Sequence, residues 1–277
     1  MAAPATAREL IAAGEARLAA VGIDTPRLDA ELLLAAAAGV TRSEIVAGLA
    51  DPSDAIETYE AWLERRAERE PLAYITGRQG FRRIDLSVDP RVLIPRPETE
   101  LLVAVVKVDR PCGILDVATG SGAVALALAD ELPDATISAT DISPGALEVA
   151  RANAQALGAA VNFLESDLLE AVDGIFDAIA ANLPYVEAED INELQPEVSK
   201  FEPRLALDGG PDGLDLVRRL AAAAPAHLRP GGMLALEIGE GQAAETERIL
   251  QAAGFVETER HEDLNGIERV VSGRTTR

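Results

Sequence analysis

The sequence is poor in the residues that staple or metallate small proteins. Cys112 is the single cysteine among 277 residues, which excludes an intramolecular disulfide framework and a cysteine-ligated zinc site. His227 and His261 are the only histidines, so histidine-based metal chemistry is not expected and no metal is assigned. Lysine is almost missing too: Lys107 and Lys200 stand alone, and nearly all positive charge is arginine. The 25 basic residues face 47 acidic ones, for a net charge of −22. Such a chain repels phosphate backbones, whose non-specific affinity comes from Lys and Arg contacts, so no direct nucleic-acid substrate is expected. Long apolar runs are absent as well. Leu32–Val40 is too short and too rich in alanine to span a bilayer, and Met1–Leu10 has no basic segment followed by an apolar core. A soluble, cytoplasmic protein with no membrane partner is expected.

What is present is ordinary globular material, 48% hydrophobic and 26% charged. The first 70 or so residues have helical texture. Leu10, Ile11, Leu18 and Val21 fall at helical spacing before a stop at Gly22. Thr25-Pro26 has the form of a hydroxyl cap followed by a first-turn proline. Thr41–Leu49 reads as a short helix and Ser53–Glu70 as a longer one, with the charge run Glu64–Glu70 as a solvated face and Pro71 as its end. Phe81, Ile84, Leu86 and Val88 are spaced for a β-hairpin. A helix starts near Glu98, and from Cys112 onward apolar strands alternate with helices. The expected fold is α/β: a Rossmann-like parallel sheet with helices on both faces over residues 98–277, a small helical domain over 1–75, and a hairpin linker over 76–97.

Ligands in such sheets sit at the carboxyl ends of the strands. The first central strand ends in Asp116-Val117-Ala118-Thr119-Gly120-Ser121-Gly122, a glycine turn that lets backbone approach a ligand and opens a helix N-terminus. An ordinary tight turn would look the same. The next strand ends in Thr140-Asp141, and an acid about 20 residues past such a turn can accept ribose hydroxyls. Ser143 before Pro144 is the better helix cap, which frees Asp141 for that task. Asp167 and Leu168 follow the third strand, where Asp167 could reach a base edge or be a plain loop acid.

Asn182-Leu183-Pro184-Tyr185 follows the fourth strand and resembles the signature of S-adenosylmethionine-dependent methyltransferases that act on planar –NH2 groups. Such a nitrogen is a poor nucleophile because its lone pair is delocalised. The Asn182 side-chain carbonyl and the Leu183 backbone carbonyl can accept its two N–H bonds, and Tyr185 offers a flat face for stacking. Leu183 is held extended by Pro184. Three further stretches narrow the resemblance. Leu93–Glu100, Glu202–Leu214 and Asp263–Val271 are similar to the Ile-Pro-Arg-Pro-Glu-Thr-Glu, Glu-Pro-x-Leu-Ala-Leu-x-Gly-Gly-x-Asp-Gly-Leu and Asp-Leu-x-Gly-x-x-Arg segments of the release-factor glutamine methyltransferases, the HemK/PrmC family.

That resemblance covers essentially the whole chain. It implies N5-methylation of the glutamine in the Gly-Gly-Gln tripeptide of class 1 peptide release factors, with S-adenosyl-L-homocysteine as the other product. It assigns Asn182, Pro184 and Tyr185 to catalysis, and Ala118–Gly122, Asp141, Asp167, Leu168 and Asn182 to the cofactor. It assigns Arg96, Pro97, Glu98 and Asn182–Tyr185 to the substrate, and the N-terminal helices to docking the release factor. Two positions depart from the family. Leu183 stands where proline is usual, giving a tetrapeptide like that of ribosomal-RNA adenine dimethyltransferases, and Ala118 stands where glycine is usual. Alanine is comfortable there only at negative φ. The alternatives are a glutamine methyltransferase of a ribosomal protein, an adenine-N6 methyltransferase of RNA or DNA, and a non-enzymatic assembly factor that kept the fold. Intact Asn182 and Tyr185 oppose the last.

Overall fold

Reciprocal capping starts two of the N-terminal helices in the computed structural model, which describes residues 6–276. In α1 (Ala7–Ala20) the Thr6 hydroxyl accepts the Glu9 N–H, and the Glu9 carboxylate returns to the Thr6 N–H. Thr41 and Glu44 repeat the box at α3 (Arg42–Val46). The helix between them, α2 (Pro26–Ala38), does not follow the expected form, because Thr25 makes no side-chain cap. Its hydroxyl donates instead to Asp29 at 2.7 Å. Asp29 is a buried carboxylate whose second oxygen accepts from the Arg66 guanidinium at 2.7 Å. The charge run in α4 (Ile56–Ala67) is therefore not all solvated. Arg66 is buried, donating to Asp29 and to Glu197, and Arg69 also reaches Glu197. Helix α4 stops at Ala67, short of the expected Glu70, because the chain leaves helical geometry at Glu68 and Arg69 turns to φ +72°; Pro71 instead starts a short helix, α5 (Leu72–Thr76), closed by Gly77 at φ +71°. By its contacts the chain forms two compact units. One comprises the residues up to Gly77 together with Gln195–Phe201, and the other Arg78–Leu194 with Glu202 onward.

The second unit opens with an antiparallel hairpin, β1 (Arg78–Phe81) and β2 (Ile84–Ser87), followed by helix α6 (Thr99–Val106). Then come β3 (Gly113–Val117), α7 (Ala123–Glu131), β4 (Thr136–Asp141), α8 (Pro144–Leu157), β5 (Val161–Glu165) and β6 (Phe176–Asn182). Helices Asp215–Ala223 and Ala243–Ala252 flank β7 (Leu228–Glu237), and β8 (Val256–Glu262) precedes β9 (Glu268–Arg274). The strand order is β5-β4-β3-β6-β7-β9-β8. Strands β3 to β7 are parallel, but β9 runs antiparallel to both of its neighbours. The sheet is thus mixed at this edge, because the tight turn Asp263–Ile267 reverses the chain directly, whereas a parallel return needs a crossover of a dozen or more residues. Alternate residues of each central strand feed opposite faces. Ile114, Ala178, Ala180 and Ala235 join one apolar cluster; Leu115, Val117, Ile179 and Leu234 join the other. The order reverses direction beside β3, which leaves a crevice at the carboxyl ends of β3 and β6. Among the described residues no helix is long and apolar enough to cross a membrane.

One buried amide fixes the hairpin to the crevice. Asn153 of α8 accepts the Ser87 N–H at 2.8 Å and donates to the Ser87 and Ser121 carbonyls at 3.0 and 2.9 Å. Truncating it strands three polar groups with little access to water. Asn153→Ala should lower unfolding free energy by about 3 kcal/mol in a denaturant titration. A loss below ~1 kcal/mol would mean the end of β2 is held by something else.

Candidate active site

A cavity of about 570 Å3 lies at the carboxyl ends of β3, β4 and β6. The turn after β3 forms one wall. Its φ angles are +59° at Ala118, +56° at Gly120 and +86° at Gly122. The negative φ that would suit alanine at position 118 is not found. The turn bends back to meet β4, where the Thr119 N–H donates to the Thr140 carbonyl at 2.9 Å and the Gly120 N–H donates to Asp141 Oδ2 at 2.9 Å. Holding an alanine in this left-handed region costs about 1–2 kcal/mol. Gly122 does not line the cavity. A Cβ there would fall 2.9 Å from the Leu126 side chain and 3.3 Å from that of Ala150, so this glycine lets α7 and α8 pack closely.

Two carboxylates brace this wall. Asp116 is buried; its Oδ2 accepts the Thr119 hydroxyl at 2.6 Å and the Ala125 N–H, one of the otherwise unpaired donors at the start of α7, at 3.1 Å. Burial pushes its carboxyl up to about 7. Asp141, also buried, accepts from Gly120 through one oxygen and from the Ser143 N–H through the other, at 2.9 Å each, and burial raises its pKa. Ser143 makes the expected cap on α8, accepting the Ala146 N–H. Ile142, Asp167 and Leu168 continue the wall, and Asp167 is paired with Arg219 at 2.8 Å.

Asn182, Leu183 and Pro184 form the facing wall. The Asn182 Nδ2 donates to the Thr99 hydroxyl at 3.2 Å, and Glu237, its partner in register on β7, carries a buried carboxylate that also interacts with Asn182 and Thr99. With the amide nitrogen engaged on that side, the side-chain carbonyl is left for the cavity. Leu183 buries its side chain in the apolar cluster with Leu115, Val117 and Leu214, which gives the leucine at this position a packing role. Tyr185 is not part of the cavity wall; its carbonyl accepts from Gln242 Nε2 at 3.0 Å, and burial pushes its hydroxyl up to about 12.

The Glu202–Leu214 segment holds this tetrapeptide from behind. Val186 donates to the Leu207 carbonyl, and Gly209 donates back to the Val186 carbonyl at 2.9 Å. A Cβ on Gly209 would sit 2.7 Å from the Pro184 carbonyl, and one on Gly213 2.2 Å from that of Tyr185. Glycine is required at both positions. Arg96, Pro97 and Glu98 lie outside the cavity wall; Pro95 and Thr99 line it instead. The Arg96 guanidinium is spent on Glu202, at 2.8 Å from both carboxylate oxygens, and so ties the Leu93–Glu100 segment to the glycine loop. Spacing had not marked Thr99, Glu237 or Gln242 as site residues; each acts across elements whose register the sequence does not display.

Ala118→Gly removes the left-handed strain at a cost in unfolded-state entropy. It should stabilise the protein by about 1 kcal/mol in denaturant unfolding. An unchanged or lowered stability would show that the alanine is not strained.

Residues 9–77 match the family model of the PrmC N-terminal domain, and residues 97–198 match the methyltransferase small domain. Among curated proteins, the release factor glutamine methyltransferase of Geobacter sulfurreducens is 43% identical over 93% of this chain and 92% of its own length. Its counterpart in Moorella thermoacetica is 46% identical over 92% of this chain and 93% of its own. Among solved structures, the Thermus thermophilus 16S rRNA N2 G1207 methyltransferase, in complex with AdoMet and guanosine, shares the fold with a TM-score of 0.53 at 17% identity, covering 72% of this chain and 49% of that one. With identity above two-fifths carried along nearly the full length of both relatives, and with the glycine turn, the strand-end acid and the Asn182-Leu183-Pro184 wall assembled around one cavity, the chain belongs to the release factor glutamine methyltransferase family.

Proposed function

We propose that the protein transfers a methyl group from S-adenosylmethionine to the side-chain nitrogen of the glutamine in the Gly-Gly-Gln tripeptide of class 1 peptide release factors. The observation that carries this is the Asn182 amide, fixed through its nitrogen on Thr99 with its carbonyl left for the cavity. Family membership supplies the substrate class, and the cytoplasm, where release factors act, is the compartment we assign.

The cavity fits the cofactor. Asp141 keeps lone pairs beyond its two backbone bonds for ribose hydroxyls, half-exposed Ile142 offers an apolar face for a base, and the glycine turn brings backbone to the wall. Asp167 and Leu168 lie where the base edge would be read. Bound there, the cofactor supplies an electrophilic methyl group on a sulfonium. The protein's part is to position the acceptor. The Asn182 Oδ1 and the Leu183 carbonyl accept the two N–H bonds of the glutamine amide, which holds its nitrogen in line and favours the charge that grows on it. Pro184 keeps Leu183 extended, and Tyr185 braces the segment behind the amide plane. The methylated nitrogen is acidic enough to lose its proton to water, so no strong base is required. Docking of the factor falls to the N-terminal helical unit, which has a family model of its own.

Incubation with labelled S-adenosylmethionine and either a release factor or ribosomal RNA, read by mass spectrometry, should mark the glutamine alone. Asn182→Ala should lower kcat on the order of a hundredfold with cofactor Kd unchanged by calorimetry. Full activity of that variant, or methylation of the RNA alone, would overturn the assignment.

The cofactor wall makes the opposite prediction. Asp141→Ala removes charged hydrogen bonds and should weaken cofactor binding by about tenfold or more. An unchanged calorimetric Kd would remove Asp141 from the cofactor site. Leu183→Pro keeps the backbone carbonyl, so turnover per folded molecule should hold. Because Leu183 is buried, stability should fall by about 2 kcal/mol, a cost its peptide position alone did not suggest.

A further inference from the structure

Glu237 is a buried carboxylate with no role in the chemistry described so far. It ends β7 beside Asn182, it is 2% exposed, and its Oε2 has no hydrogen-bond partner. A group so costly to desolvate would be replaced by an apolar side chain if packing were all that mattered. The geometry points to Glu237 as the positioning residue that sets, through Thr99, which end of the Asn182 amide faces the cavity. This rests on the reading of Asn182 as the acceptor of the glutamine N–H.

The logic is one of donors and acceptors. Ionised Glu237 can only accept, so the Thr99 hydroxyl turns its proton toward it and keeps its lone pairs for the Asn182 N–H at 3.2 Å. The Asn182 carbonyl then points to the substrate. Neutral Glu237 carries a proton of its own. Thr99 is then free to donate to the Asn182 carbonyl, and the flipped amide presents its –NH2 to the substrate –NH2, donor against donor. Burial raises the Glu237 carboxyl to about 7; Glu98 at the start of α6 adds to the rise, and Arg269 on β9 opposes it together with the hydrogen bonds from Thr99 and Asn182. The Tyr185 hydroxyl, held up near 12, stays neutral through this range. Turnover should therefore climb as pH rises through about 7, as Glu237 ionises.

The test uses the full-length enzyme in two measurements. In the first, the Asn182 side-chain –NH2 resonance, identified by its absence in Asn182→Ala, is followed by NMR across neutral pH without substrate. It should titrate in the wild type and stop titrating in Glu237→Gln. In the second, kcat on the release factor should fall about tenfold or more in Glu237→Gln and lose its rise with pH, while thermal stability holds or improves. Thr99→Val should reproduce the kcat loss and Thr99→Ser should restore activity, so the relay is tested even if Glu237→Gln folds poorly. A wild-type amide that does not titrate, or a Glu237→Gln enzyme with unchanged kcat, overturns the role. A titrating amide in a protein that leaves the release factor unmethylated would leave the relay standing and sink the substrate assignment instead.

Discussion

Where Gly209 and Gly213 lie against Pro184 and Tyr185, the two backbones come so close that no side chain fits between them. The remaining features of the acceptor wall depend on that contact. It holds the chain extended past β6, so that Asn182 stays in register with Glu237 and within reach of Thr99. It also explains why Arg96 is not free to meet a substrate. The guanidinium neutralises Glu202, a buried carboxylate at the root of the same loop, and without it the loop would carry an unpaired charge.

Two buried acids at the crevice and one ion-paired acid at the far end of α7 make stability depend on pH in two opposed ways. Asp116 and Glu237 are both raised to about 7 by burial. The folded state holds protons there that the unfolded chain has released, so stability from these groups is complete below the ordinary carboxylate range and is lost as pH rises toward neutrality. Glu131, paired with Arg82 and Lys107, is held down to about 2; its contribution is present above the ordinary range and disappears only in strong acid. The crevice is thus most costly to keep folded at the pH where its acids are charged and useful.

The alternation of strands and helices from Gly113 onward was legible because each element carries its own period and its own stop, such as Ser143-Pro144 at the start of α8 and Gly158 after it. The glycine turn, Asp141 and Asn182 were legible because they follow strands directly. What escaped was whatever depends on a partner distant in sequence. Arg66 sits in a run that looks solvated, and only the fold brings Asp29 and Glu197 to it. Thr25 has the residue type of a cap, yet Asp29 takes its hydroxyl. Glu237 is one acid among many until the register of β6 and β7 sets it beside Asn182.

Strand β9 comes after β8 in the chain yet lies between β7 and β8 in the sheet. The pairing of β8 with β9 is local, joined by a tight turn, whereas that of β9 with β7 spans the helix Ala243–Ala252 and β8. Loop-closure entropy favours the hairpin first, docking as a preformed pair on an open β7 edge. Until it docks, the backbone N–H and C=O groups on that side of β7 are unpaired, and Arg269, whose carbonyl accepts the Ile238 N–H, is missing from beside Glu237. A chain in which the hairpin had not docked would therefore offer a bare strand edge to other chains in place of a finished acceptor wall.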